Sequence, residues 1–276
     1  MSFIRYPGGK SKLRAEILKQ LDKQIYLGGS KIIEYREPFF GGGSIGLKFL
    51  EMNPYIHKAW INDKDVGVAS LWTSVMRYHD ELKRKVVNFV PSVDIFYQYK
   101  DILLSNQPMD VVELGFMKLA VHQMSFSGLG VMAGGPIGGK TQLGNYTIDC
   151  RWSADYICNK INKYHALFSR TNMYNNICSS FNFEKVLEDD IDDNALVYID
   201  PPYYVKGNDL YIVKFEKSDH MRLAELLKCA KYRWLLSYDD CEEVRELYNW
   251  AVIQPVGVNY TIKTSRNKSE VLIFRE

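Results

Sequence analysis

Apolar positions recur along the chain with two different spacings. Between Ser11 and Ile25, the residues Leu13, Ile17, Leu18, Leu21 and Ile25 fall on one helical stripe, with Ser11 placed to cap it. Gly28-Gly29 breaks that pattern, and Lys31-Ile32-Ile33-Glu34-Tyr35 reads as a short strand. Glu37-Pro38-Phe39-Phe40 and three glycines follow, after which Gly43 to Met52 returns to helical spacing. Ala59-Trp60-Ile61-Asn62-Asp63 then reads as a second strand ending in an acid. Helix, strand, glycine turn, helix and strand within 65 residues is the logic of an α/β protein.

The character changes from Val66 to His165. Helical spacing covers Ala69 to Asn88 and Val111 to Met124. A glycine-rich, aromatic-sprinkled stretch runs from Ser125 to Trp152, with a β-hairpin expected around Tyr146-Thr147-Ile148. We read 66–165 as an inserted, mainly helical subdomain, with 1–65 and 166–276 forming the main α/β domain. Beyond it, Ala195-Leu196-Val197-Tyr198-Ile199 is a compact apolar strand ending abruptly in Asp200-Pro201-Pro202-Tyr203. A helix (Asp219 to Lys231), a strand (Trp234 to Ser237), a helix (Cys241 to Asn249) and two terminal strands (Val252 to Ile262 and Val271 to Phe274) complete the layout.

Composition removes alternatives more than it adds any. With 46% hydrophobic and 25% charged residues, the chain is neither disordered nor fibrous. Lys and Arg total 35 against 33 Asp and Glu, so a nucleic-acid partner would have to be met by a local basic face. The five cysteines are scattered with no C-x-x-C, and the histidines form no H-E-x-x-H. We therefore expect reduced thiols and no metal site. A polar start and the lack of any apolar run near the ~20 residues of a membrane helix lead us to expect a cytoplasmic protein.

Three glycine motifs compete for attention. Gly41-Gly42-Gly43-Ser44-Ile45-Gly46 fits G-x-G-x-x-G after a strand, with Asp63 about twenty residues on to accept from ribose hydroxyls. This motif alone does not choose between a nicotinamide dinucleotide and S-adenosylmethionine. Gly134 to Thr141 matches the phosphate-loop pattern G-x-x-x-x-G-K-[ST], but a helix precedes it and poor helix formers follow. We read it as a flexible loop whose Lys140 can meet a DNA phosphate. Tyr6-Pro7-Gly8-Gly9-Lys10, before the first helix, gains weight only in combination.

Asp200-Pro201-Pro202-Tyr203 carries the chemistry. In open α/β sheets ligands bind beyond the carboxyl ends of strands, so this tetrapeptide faces a crevice. A carboxylate and carbonyls, with no proline N–H between them, offer acceptors, and an aromatic ring follows. The combination suits a flat heterocycle bearing an exocyclic amine.

These segments resemble the Dam-type, adenine-N6-specific DNA methyltransferase family. The likeness is carried, in the family's order, by Tyr6-Pro-Gly-Gly-Lys10, Glu37-Pro-Phe-Phe-Gly-Gly-Gly-Ser44, Asn62-Asp63 and Asp200-Pro-Pro-Tyr203. Phe126-Ser-Gly-Leu129, Trp234-Leu-Leu-Ser237 and Glu270-Val-Leu-Ile273 are weaker echoes. The resemblance implies a Rossmann-like methyltransferase sheet, S-adenosylmethionine as cofactor and a target-recognition insertion. It also implies methyl transfer to a flipped-out adenine in duplex DNA. A partner restriction endonuclease is in keeping with such enzymes. An RNA adenine methyltransferase is the alternative, and a NAD-dependent oxidoreductase a more distant one. By resemblance Tyr6 meets the cofactor adenine, Lys10 with Gly41 and Gly43 the methionine end, and Asp63 the ribose; Glu37, Phe39 and Phe183 complete the cofactor set. Asp200, Pro201, Pro202 and Tyr203 form the catalytic corner, with Asp200 also serving the cofactor. Where the family often has Asp-Phe, this chain has Asn182-Phe183, so one acidic contact to the cofactor adenine does not carry over. The branch that reads GATC has an Asn-Val-Pro-Tyr/Phe-Gly-Arg segment; here Asn145-Tyr-Thr-Ile-Asp-Cys-Arg151 stands instead, and GATC reading is not carried over. Arg5, Lys12, Arg14, Lys140, Arg151, Lys263, Arg266 and Lys268 are the basic residues from which a DNA face could be built, with Arg151 the expected base reader.

Overall fold

The computed structural model describes residues 3–4, 10, 13–27, 32–105, 107–170, 177–204, 214–256 and 270–276. Seven strands form one sheet: β1 (Glu34–Glu37), β2 (Lys58–Asn62), β3 (Ile177–Ser179), β4 (Ala195–Ile199), β5 (Arg233–Asp239), β6 (Val252–Val256) and β7 (Glu270–Phe274). Their spatial order is β3-β2-β1-β4-β5-β7-β6; the first five run parallel, and β7 is antiparallel to both neighbours. Strand order reverses between β1 and β4, so the carboxyl ends of those two strands open a crevice at the topological switch point. This is a Rossmann-like sheet.

Alternate residues of the central strands feed two cores. On one face Tyr35, Ile61, Leu196, Tyr198 and Leu235 meet α1 (Arg14–Leu27), α2 (Gly46–Met52), α3 (Val66–Arg77) and α7 (Ala154–Phe168). On the other, Val197, Ile199, Trp234, Leu236 and Val271 meet α8 (Phe183–Glu188), α9 (Lys217–Cys229) and α10 (Glu242–Leu247). Burial on both faces explains why β4 reads as a continuous apolar run.

β1 is the exception: Glu-Tyr-Arg-Glu is wholly buried. Its charges are satisfied internally. Arg36 pairs with Glu34 at 2.5 Å, donates to the carbonyls of Val186, Asp189 and Asp190 at the end of α8, and lies 4.8 Å from the Trp60 ring centroid. A cation there complements the partial negative charge of a helix terminus. The strand therefore begins three residues and ends two residues beyond the apolar pattern of 31–35.

Between β2 and β3 the chain is helical. α3 is followed by α4 (His79–Asn88), α5 (Val93–Ser105), α6 (Val111–Met124) and α7. α3 and α7 pack into the core beneath the sheet, whereas α5, the end of α6, Val131 and Ile148 form a small core of their own. The expected hairpin at Tyr146-Thr147-Ile148 does not form. Residues 148–151 are a turn, closed by Cys150 N–H to the Thr147 carbonyl (3.1 Å) and Thr147 Oγ1 to Asp149 (2.5 Å), while Tyr146 is exposed and Ile148 buried. Short polar side chains here bond their own backbone in place of a strand partner.

The Gly134 to Thr141 loop likewise opens no helix. It is tied down instead of flexible: Ile137 N–H bonds the Met124 carbonyl at 2.8 Å, and the Gln142 amide donates to the carbonyls of Ile137 and Gly139. Among the described residues, no helix is long and apolar enough to cross a membrane. Ser11 and the chain beyond Val256 expected to extend β6 lie outside the described residues.

Candidate active site

Two structures meet at the mouth of the crevice, a glycine turn after β1 and an acid corner after β4. The turn begins where β1 delivers Glu37. Gly41 and Gly43 both take positive φ, +49° and +68°, a conformation that costs other L-residues energy. A side chain at Gly43 would also strike Leu47 and Phe40 at 2.9 Å. Asp63, at the carboxyl end of neighbouring β2, fixes the turn from the side: Oδ2 accepts from Gly41 N–H at 2.8 Å and Oδ1 from Asp65 N–H at 2.9 Å. The indole of Trp72 donates to the Gly41 carbonyl at 2.9 Å from below. Burial, reinforced by the neighbouring Asp65 charge, pushes the Asp63 carboxyl up to about 7.

Asn62 holds the same rim together. Its side-chain amide donates to the carbonyls of Pro38 and Phe181, and its oxygen accepts from Ser179 and from Phe181 N–H. One side chain therefore locks the ends of β1, β2 and β3. Glu37 lies inside this rim. Only 2% exposed, it accepts from the Tyr35 hydroxyl at 2.7 Å and from Gly46 N–H, and burial holds it well above the usual carboxylate range. Any Cβ at Gly46 would collide with Glu37 Oε2. Half-buried Phe39 packs on Phe183 (centroids 5.8 Å) and Phe215 (5.6 Å), making an aromatic wall beside the turn.

At the corner after β4, Asp200, Tyr203, Lys10 and Glu270 converge. Lys10 Nζ is 3.0 Å from Asp200 Oδ1, 3.0 Å from Glu270 Oε2 and 2.9 Å from the Tyr203 hydroxyl, and its side chain is 1% exposed. Tyr203 donates onward to Glu270 Oε1 at 3.1 Å. Burial pulls the Lys10 ammonium down, but the surrounding Asp200, Tyr203 and Glu270 outweigh it and hold it well above the lysine range. Burial raises Asp200 in turn, against the pull of Lys10.

Ser237, opposite on β5, donates to Asp200 Oδ1 at 3.0 Å and shares a 2.9 Å hydrogen bond with Tyr198. Asp200 Oδ1 is thus anchored twice, and Oδ2 has no hydrogen-bond partner among the described residues. Glu270 reaches the corner because β7 is antiparallel: its first residue pairs with Asp239, at the carboxyl end of β5.

The structure thus brings Lys10, Asp200 and Tyr203 together, and likewise Gly41, Gly43 and Asp63. It adds Glu270 and Ser237, which the sequence signalled only through weak echoes. Lys140 and Arg151 stand apart on the insertion, Lys140 Nζ 5.3 Å from the Tyr97 ring centroid and Arg151 donating to the Ser125 carbonyl at 3.5 Å. Asn182, the departure noted in the sequence, caps α8 by position and accepts from Lys64 at 2.6 Å. Tyr6, Arg5, Lys12, Lys263, Arg266, Lys268 and most of the Tyr204 to Lys217 stretch expected to close over a base lie outside the described residues.

The family described as D12 class N6 adenine-specific DNA methyltransferase matches residues 6–113 and 138–262. Comparison with curated proteins gives no match. Among solved structures the chain is similar to the rRNA methyltransferase aviRa from Streptomyces viridochromogenes, at 10% identity and a TM-score of 0.37, over 99% of this chain and 88% of that one. A likeness that loose carries no argument about substrate. The family match spans most of the sequence and both halves of the crevice: the chain belongs to the D12 class N6 adenine-specific DNA methyltransferase family and is an adenine methyltransferase, a class whose methyl donor is S-adenosylmethionine.

Proposed function

We propose that this chain is a site-specific methyltransferase that transfers a methyl group to N6 of an adenine flipped out of duplex DNA. The observation that carries the reading is the Asp200 corner, anchored on one carboxylate oxygen, open on the other, and set beside the glycine turn at the switch point.

The residues around the turn suit S-adenosylmethionine. Positive-φ glycines let a ligand approach the backbone closely, and a half-buried carboxylate at the end of β2 keeps lone pairs for ribose hydroxyls after its two backbone bonds. Phe39 and Phe183 offer an apolar wall for an adenine ring. Glu37 shapes the turn from inside. Lys10 holds the acids of the corner and neutralises part of their charge. When bound, the cofactor supplies a sulfonium-activated methyl group.

The chain's own residues handle the amine. Adenine's exocyclic nitrogen is a poor nucleophile because its lone pair is delocalised into the ring. With one N–H donated to Asp200 Oδ2 and the other to the Pro201 carbonyl, that lone pair is freed and aimed. Positioning and fixed acceptors of this kind lower barriers by several kcal/mol without a strong base. Extruding the base costs a few kcal/mol; stacking on Tyr203 offsets about 1–3 kcal/mol of it.

In this reading 66–165 is the target-recognition insertion, built on α3 and α7, with Lys140 and Arg151 on its DNA side, and 1–65 with 166–276 is the catalytic domain. Transfer of a labelled methyl group to duplex DNA, single-stranded DNA and RNA, followed by nucleoside digestion, tests it. N6-methyladenine confined to a defined duplex sequence is expected. Label in RNA alone refutes the DNA assignment.

A further inference from the structure

Lys118 on α6 is only 3% exposed, an expensive place for an ammonium unless it is paired. It pairs with Asp65 Oδ2 at 2.5 Å, across 53 residues of sequence. Asp65 is the N-cap of α3, its Oδ1 accepting Val68 N–H at 3.1 Å, and its own N–H donates to Asp63 Oδ1 at 2.9 Å. The other Asp63 oxygen holds Gly41 N–H. A single line of contacts therefore runs from the middle of α6 to the glycine turn.

Two glycines seat the lysine. A Cβ at Gly115 would fall 2.8 Å from the Leu71 backbone, so only glycine lets α6 lie this close to α3. One at Gly67 would meet Lys118 Cδ at 3.0 Å and Asp65 Oδ1 at 3.1 Å, so the stem passes directly over the start of α3. Asp63 and Asp65 are two like charges in one half-buried pocket, and among the described residues Lys118 is the cation that touches one of them. The other titratable groups facing the pair are Glu37 from β1, His122 from α6 and Cys178 from β3.

We propose that Lys118 is a positioning residue for the cofactor: by neutralising Asp65 it keeps the adjacent Asp63 carboxylate charged and aimed at the turn, making cofactor affinity depend on how α6 is seated. The inference rests on the assignment of Asp63 to the cofactor given above. It ties the proposed DNA-reading insertion to the methyl-donor site through charge, along the line from Lys118 through Asp65 and Asp63 to Gly41.

The test is calorimetric titration of S-adenosylmethionine into the full chain from about pH 6 to about pH 9. Lys118→Met leaves two uncompensated acids, so the pH midpoint of binding rises. Affinity at neutrality then falls about fivefold for the first whole pH step by which that midpoint moves and about tenfold for each further one. Asp65→Asn keeps the α3 cap but removes the like charge, so its midpoint falls. The double variant K118M/D65N returns toward the wild-type profile and, having no unpaired buried carboxylate at position 65, provides a folded reference if K118M is unstable. Midpoints moving in opposite directions support the coupling. Unmoved midpoints, movement in the same direction, or a loss equal at every pH and persisting in the double variant overturn it. Asp63→Ala separates the two layers: unchanged affinity there removes Asp63 from the cofactor site, whereas weakened binding with unmoved K118M and D65N profiles removes only Lys118.

Discussion

Replacing Asp200 by alanine isolates what the corner contributes to chemistry. The side chain loses two kinds of contact: the Oδ2 acceptor offered to the target amine, and the Oδ1 contacts with Lys10 (3.0 Å) and Ser237 (3.0 Å). Only the first should matter for rate. Lys10 keeps Glu270 at 3.0 Å and Tyr203 at 2.9 Å, so its buried ammonium is not orphaned. The stability loss should therefore stay below the about 3–5 kcal/mol of a broken buried pair. Removing one preorganised hydrogen-bond partner from a transition state costs about 10²–10³ in kcat, or about 2.7–4 kcal/mol. Since the remaining acceptor no longer fixes the amine alone, Asp200→Ala should reach at least the upper end of that range. Single-turnover transfer of a tritiated methyl group to DNA, with cofactor saturating, reads the chemical step apart from binding. Thermal melting and DNA affinity serve as controls and should change little. A folded variant retaining kcat within about threefold of the wild type would refute the role.

Cofactor binding should also depend on pH through Asp63. Its carboxyl titrates near 7, so the ionised acceptor is present above that pH and is lost below it; calorimetric affinity should fall from pH 8 to pH 6, and Asp63→Ala should bind weakly with that dependence gone. Arg36→Met leaves Glu34 with Lys58 at 3.2 Å but removes the donor to three carbonyls in and just beyond the last turn of α8. Each carbonyl left without its donor costs about 1–3 kcal/mol, so chemical denaturation should show a loss of about 3 kcal/mol or more, with the cofactor's relative affinity unchanged in whatever remains folded.

Much of the fold was legible because its strands are buried on both faces. β4 reads to the residue from its apolar run, and the positive-φ glycines stand where a strand hands over to a helix. β1 was displaced because its last two residues are Arg36 and Glu37, whose burial depends on partners distant in sequence or hidden beneath the turn. β3, three residues around Cys178, is too short to show alternation. α5 buries only Phe96 and has little stripe to read. α7 does carry one, through Ile157, Ile161 and Tyr164, and this was a readable signal that the glycine-rich stretch before it obscured. At the site, motif residues announced Asp200, Tyr203, Lys10 and the turn. Glu270 and Ser237 stood in the sequence only as weak echoes, and their part at the corner became visible once the antiparallel β7 and the β4–β5 register put them beside Asp200. The hairpin failed because turn-forming side chains at 145–149 satisfy their own backbone.

The most direct test is a structure of the protein with a non-reactive S-adenosylmethionine analogue and a duplex containing its target adenine. We expect the adenine outside the helix, its amine within about 3 Å of both Asp200 and the Pro201 carbonyl, and its ring against Tyr203. An adenine seated elsewhere, with both Asp200 oxygens turned away from it, would contradict the assigned chemistry.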